Sequence, residues 1–291
     1  MNTKKTMYRF NKLYRIIEIY FFRLVGKVYK SRNKKLQEIV SSNRDFLNSI
    51  DEFLSPEIYK SVDYGIPLHI YKEIDRKIDN SITYSDLIVY LLNTFNDQKT
   101  INYLEVGVSV MKNFMQINSA LKGANLYVYD INPIVPLFSS QFEINNETNK
   151  KVFESTNGEN KIIYFQGDVL SPRDQKKFGL IVNDNFNFVL SDAMHTAEGV
   201  LAEYENIIKQ NLSDHFILYF DDLDFDELFE TAEYVYKDLS SNRDHLNLYT
   251  FWINGWVGQN EKMHKNGIIT SFNLEETLKR DNIKLPFFKK H

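Results

Sequence analysis

The chain has 291 residues, with 35 Lys and Arg against 39 Asp and Glu and 43% hydrophobic residues. That is enough to bury the core of one large domain or two small ones, and it excludes a disordered or collagen-like chain. No Cys is present, which excludes disulfides, thiolate zinc sites and a cysteine nucleophile; a reducing, cytoplasmic setting is the expectation.

Charge is unevenly spread. Residues 1–35 carry eleven Lys or Arg against one acid, Glu18, for a net +10, so the remainder carries −14. Within this arm, Leu13 to Tyr29 reads as an amphipathic helix. Leu13, Ile17, Tyr20, Leu24 and Val28 share one face, and Lys12, Arg15, Arg23, Lys27, Lys30 and Lys34 the other. Its charges make it too short in apolar length for a membrane span, and no small-residue cleavage site follows it. It fits either an interfacial helix making peripheral membrane contact or a helix docked on the protein's own core or on a second subunit of a homo-oligomer. The acidic body argues against nucleic acid as a partner.

Residues 36–98 read as a helical lead-in, including KLQEIVSSNRDFLNSIDEFL and SITYSDLIVYLLNTF, the second capped by Ser81 or Thr83. From residue 99 to 291 the periodicity changes, as strand-length apolar runs alternate with helix-length segments. This is the pattern of an α/β, Rossmann-like, mostly parallel sheet with helices on both faces. Seven strands are expected: INYLEVGV, NLYVYDI, KIIYFQG, FNFVLSD, HFILYFDD, LNLYTFWI and GIITSF, the last two as an antiparallel hairpin.

Ligands of such sheets bind outside the carboxyl ends of the strands. Here those ends carry Glu105, Asp130, Asp168, Asp192 and the pair Asp221 and Asp222. One such acid is ordinary helix capping, but the succession along one edge points to a site.

As an ordered set, YLEVGVSV, YVYDIN, QGDVLSP, VLSDAMHTAEGVLAEYENI and ILYFDD resemble the class I S-adenosylmethionine-dependent methyltransferases. The branch most resembled is that of metal-dependent O-methyltransferases acting on sugars and small natural products, with the related cephalosporin-hydroxylase-like proteins. The resemblance covers about residues 100–275. It implies S-adenosylmethionine as cofactor, with Glu105, Gly107 and Ser109 in the cofactor loop, Asp130 on the ribose hydroxyls and Asp168 near the adenine. It also implies Mg²⁺ or Mn²⁺ held by Asp192, Asp221 and Asp222, and a polyhydroxylated, sugar-like or glycan-like acceptor. Met111 departs from the pattern, since the family usually has a second glycine there. His195, three residues after Asp192, could act as general base beside it, or could cap the following helix or pair with Glu198.

His215 and His245 are read as structural residues preceding strands, and Trp252 and Trp256 as core or acceptor-pocket residues. The segment SDAMHT lacks the Asn-Pro-Pro-aromatic or Asp-Pro-Pro-aromatic motif of nucleic-acid amino-methylating enzymes. Gly107 belongs to no G-x-G-x-x-G run of the kind an NAD-dependent oxidoreductase needs. A catalytically weakened binding or scaffolding protein of the same fold is the remaining alternative.

Overall fold

The computed structural model describes residues 29–54, 80–95, 100–144, 152–155, 159–255 and 263–291, together with Phe21, Leu24, Val25 and Ile58. The amphipathic helix expected over Leu13 to Tyr29 falls for the most part outside the described residues, as does Trp256.

Helix α1 (Lys34–Asn48) starts where the Asn33 side chain accepts the amide of Leu36 at 2.9 Å. It buries Leu36, Ile39, Val40, Asn43, Arg44 and Leu47, which is one helical stripe. Helix α2 (Tyr84–Phe95) is buried at every position from Tyr84 to Leu92, as expected of a helix enclosed on all sides. Its start is held by Asp86, whose carboxylate accepts from the backbone N and the hydroxyl of Thr83, each at 2.9 Å. The same carboxylate takes a two-pronged bond from Arg44, at 2.7 and 3.0 Å, and a third from Asn43 at 2.8 Å. A charge pair this buried is tolerated because both partners are hydrogen-bonded on all sides.

Among the described residues one ten-stranded sheet follows, in the order β10-β8-β9-β7-β6-β1-β2-β5-β4-β3. The strands are β1 (Asn102–Val106), β2 (Asn125–Asp130), β3 (Phe142–Ile144), β4 (Val152–Ser155), β5 (Lys161–Gln166), β6 (Phe186–Ser191), β7 (Leu212–Phe220), β8 (Asn247–Ile253), β9 (His264–Thr270) and β10 (Lys289–Lys290). The five strands β5-β2-β1-β6-β7 are parallel throughout. All seven expected strands are present, and three short strands extend the sheet beyond them, β4 and then β3 past β5 on one side and β10 past β8 on the other. The expected final hairpin forms, but β9 inserts between β7 and β8 and runs antiparallel to both. His215 lies inside β7 rather than before it.

Helices cover both faces. On one, α1, α2 and α3 (Lys112–Ala120), with α7 (Leu274–Arg280), close a core over Tyr103, Leu126, Val128 and Leu190. On the other, α4 (Pro172–Gly179), α5 (Ala197–Glu203) and α6 (Asp226–Ser240) close a core over Leu104, Val106, Tyr127 and Tyr129. Neighbouring residues of β1 and β2 feed opposite cores, the period-two alternation of a sheet buried on both sides. The core over the first face runs without a break from α1 and α2 into the sheet. Strand order reverses at β1, with β2 on one side and β6 on the other, so a crevice opens at their carboxyl ends.

Candidate functional site

The first half of the carboxyl edge is the loop from β1 to α3. Gly107 stands at φ +85°, and a Cβ there would lie 2.4 Å from the backbone oxygen of Asp192 and 2.5 Å from the Cα of Ala193. The close neighbour that demands glycine is thus the chain leaving β6. Ser109 and Met111 also have positive φ, 48° and 62°. Met111 therefore holds a left-handed turn that glycine adopts without strain, and its fully buried side chain offsets part of that cost.

Asp130, at the end of β2, shapes this loop. One carboxylate oxygen accepts from the amides of Val108 at 2.6 Å and Ser109 at 3.2 Å. The other accepts from the amide and side chain of Asn132 at 2.7 and 3.1 Å. Burial pushes its pKa up, and the amide bonds pull it back. Glu105 is 1% exposed and accepts from the Tyr103 hydroxyl at 2.6 Å and the Asn113 side chain at 3.0 Å; burial pushes it up to about 7. Asp168 is half-buried and accepts the amide of Leu170 at 2.8 Å.

The second half collects the ends of β6 and β7 and the start of β9. Asp221 and Asp222 lie side by side here, Asp192 is near enough to feel their charge, and His195 stands between Asp192 and Asp222. His195 lies 3.5 Å from Asp222 through Nδ1 and 3.9 Å from Asp192 through Nε2. The structure adds His264, whose Nδ1 is 2.5 Å from the other oxygen of Asp222. One ligand atom each from Asp221, Asp222 and His264 falls within 4.8 Å of the other two, among the described residues the one such group. Asp192 stands outside this trio and acts on it through charge. Burial first, and then Asp221 and Asp222, push its pKa well above the usual range. Burial and Asp222 push Asp221 up to about 6, with His264 and His195 pulling the other way.

Supports lie one layer behind. The Tyr219 hydroxyl donates to Asn266 at 2.5 Å, and Asn266 donates to Asp221 at 2.6 Å. Glu203, fully buried, accepts from Ser191 at 2.6 Å and is pushed by burial up to about 7. Residues Asp221 to Asp224 fold over β9 through bonds from Leu223 N to Lys265 O and from Lys265 N to Asp224, at 2.7 and 2.6 Å. Gly267 permits this, because a Cβ there would lie 2.4 Å from Leu223.

His264, Asn266, Tyr219 and Glu203 are not among the residues singled out from the sequence. The available signal was the spacing of His264 and Asn266, which alternation puts on one face of a strand. Beginning that strand at Gly267 hides it.

Asp192, His195 and Asp221 line a cleft of about 10 Å³ with Met194, Phe220 and Leu223, room for one water or ion. A larger cavity, about 610 Å³, lies at the opposite, amino-terminal ends of β1, β6 and β7 between Phe95, Phe188 and Phe272. It is remote from the strand ends just described. No described helix is long and apolar enough to cross a membrane.

A scan against protein-family models finds no match, and a search of curated proteins finds none. Several solved structures are similar in shape. The O-methyltransferase TomG from Streptomyces achromogenes, in complex with SAM, is 10% identical over 85% of this chain and 93% of its own, with a TM-score of 0.44. The magnesium protoporphyrin IX methyltransferase ChlM from Synechocystis PCC 6803, with bound SAM, is 14% identical over 80% and 97%, with a TM-score of 0.42. Spermidine synthase from Thermotoga maritima is 12% identical over 70% and 66%, with a TM-score of 0.38. Identities this low and TM-scores below 0.5 leave the functional reading to the chain's own topology and side chains.

Proposed function

We propose that this chain is an S-adenosylmethionine-dependent methyltransferase acting on a hydroxyl of a sugar or other polyhydroxylated small molecule, with help from a divalent ion. One observation carries the reading. At the crevice where strand order reverses, a glycine loop clamped by a strand-end aspartate faces a cluster of three aspartates and two histidines.

The residues fit both groups. Glu105, Gly107, Ser109, Asp130 and Asp168 would hold the methyl donor. Asp130 offers ribose hydroxyls the oxygen now shared with the Asn132 side chain, whose 3.1 Å bond is the longer of the two to that oxygen. Asp221 and Asp222, with the charge of Asp192, would hold a divalent cation, since carboxylates this close repel without a counterion. When bound, the donor supplies an activated methyl group and the cation lowers the pKa of a coordinated hydroxyl. His195, one-third exposed, takes the acceptor's proton, and Asp192 and Asp222 on either side stabilise the imidazolium that results.

Calorimetry tests the donor half: micromolar S-adenosylmethionine binding is expected. Mass spectrometry of methyl transfer to nucleotide sugars and glycans, with EDTA and with Mg²⁺ or Mn²⁺ restored, tests the acceptor half. Absent donor binding would favour a catalytically weakened binding or scaffolding protein, the reading to which the buried Met111 lends itself.

A further inference from the structure

The sequence leads one to expect three oxygen-bearing ligands from the ends of β6 and β7. The side chains that converge are different: two carboxylates just past the end of β7 and one imidazole at the start of β9, each with a ligand atom within 4.8 Å of the others. The imidazole is delivered by the fold. Asp221 to Asp224 are bonded onto the start of β9 through Lys265, Gly267 leaves room for Leu223, and pairing of Phe220 with Gly267 fixes the register. The Tyr219–Asn266–Asp221 chain of bonds holds the opposite ligand from behind, the kind of second layer that orients metal-binding carboxylates. Beside the trio, Asp192, His195 and Asp221 border a cleft of ionic size.

We propose that His264 is a metal ligand together with Asp221 and Asp222, and that this two-carboxylate, one-imidazole centre selects Mn²⁺ and other first-row transition ions over Mg²⁺. The inference deepens the reading of the site as ion-assisted. Its chemistry is direct: Mg²⁺ favours oxygen donors in a near-ideal octahedron, whereas imidazole suits first-row transition ions such as Fe²⁺ and Zn²⁺, and Mn²⁺, which shares the carboxylate preference of Mg²⁺, accepts a nitrogen ligand beside its oxygens more readily than Mg²⁺ does. Asp192 acts as a charge at the rim, and His195 stays free of the metal to move protons.

The test uses the metal alone, without S-adenosylmethionine. The full-length protein is titrated with Mn²⁺ and, separately, with Mg²⁺ by calorimetry, and the Mn²⁺-loaded protein is studied by pulsed electron paramagnetic resonance with ¹⁴N- and ¹⁵N-labelled histidine. One equivalent of Mn²⁺, Mg²⁺ bound at least about tenfold more weakly, and a nitrogen modulation that changes with the label are expected. His264→Ala is expected to weaken Mn²⁺ by about tenfold or more and to remove the nitrogen signal. His195→Ala is expected to leave that signal in place. A wild-type protein that binds no Mn²⁺, binds Mg²⁺ as tightly, or shows no histidine nitrogen overturns the proposal, and this reading does not require His264→Ala to fold. Mn²⁺ binding lost while S-adenosylmethionine binding persists would remove the metal centre and leave the transferase reading standing. The reverse pattern would remove the transferase reading alone.

Discussion

The two halves of the carboxyl edge use the same residue type in opposite ways. At the ends of β1 and β2 the acids are answered locally: Asp130 by the amides of Val108, Ser109 and Asn132, and Glu105 by a phenol and an amide. At the ends of β6 and β7 the acids answer one another, since the charges of Asp221 and Asp222 help push Asp192 up and that of Asp222 helps push Asp221 up. Carboxylates satisfied by the backbone shape a loop. Carboxylates held together against their repulsion define a place for a cation or a proton.

Several substitutions separate these roles, and the largest effect is expected where the halves touch. Gly107→Ala places a methyl group 2.4 Å from the Asp192 carbonyl oxygen at φ +85°, so a loss of about 3–5 kcal/mol is expected in urea denaturation from left-handed strain plus overpacking. An unchanged midpoint would show that the halves do not press on each other. Next comes pH. Glu105 and Glu203, one in each half, have their carboxyls raised from 4.5 to about 7. The folded state keeps their protons between about pH 4.5 and 7, where the unfolded chain has released them. Stability should therefore fall as pH rises through that window, by about 3 kcal/mol for each group. Glu105→Gln and Glu203→Gln should each flatten the profile, and a flat wild-type profile between pH 4.5 and 8 would refute the raised values.

Neutralisation should then have opposite signs in the two halves. Asp130→Ala strands the loop amides and is expected to cost about 2–3 kcal/mol of stability, besides about 1.5–3 kcal/mol of S-adenosylmethionine binding. Asp192→Asn relieves repulsion and is expected to raise metal-free stability by about 1–2 kcal/mol while costing methyl transfer far more than donor binding. Destabilisation by both would erase the contrast. The smallest effect is expected at Met111→Gly. Relief of about 1–2 kcal/mol of left-handed strain opposes a burial loss of about 1.5–3 kcal/mol, leaving roughly 1 kcal/mol of net destabilisation by chemical denaturation.

Much of this edge was legible in the sequence because parallel strands announce themselves as apolar runs. Where such a run ends in Asp130, Asp192 or Asp221, the fold leaves the acid little freedom of position. The same logic placed His195, three residues past a strand end. It failed at β9, whose first residues, His264-Lys265-Asn266, are polar; only pairing with Phe251, Trp252 and Ile253 of β8 makes them strand. The partners of Asp130 were equally hidden, since a backbone amide leaves no trace in residue type. The outer strands β3, β4 and β10, two to four residues long, are too short to show a period.

The insertion of β9 between β7 and β8 also bears on how the chain is made. Strands β1 to β7 can pair as they are synthesised, but the neighbour of β7 on its outer side, which begins at His264, arrives only after β8 has been made. Until His264–Thr270 emerges, β7 presents an open edge bearing Ile217, Leu218 and Phe220. Such an edge is a template for pairing with other chains. The pairing of β9 with β7 therefore both closes that edge and delivers His264 to Asp222.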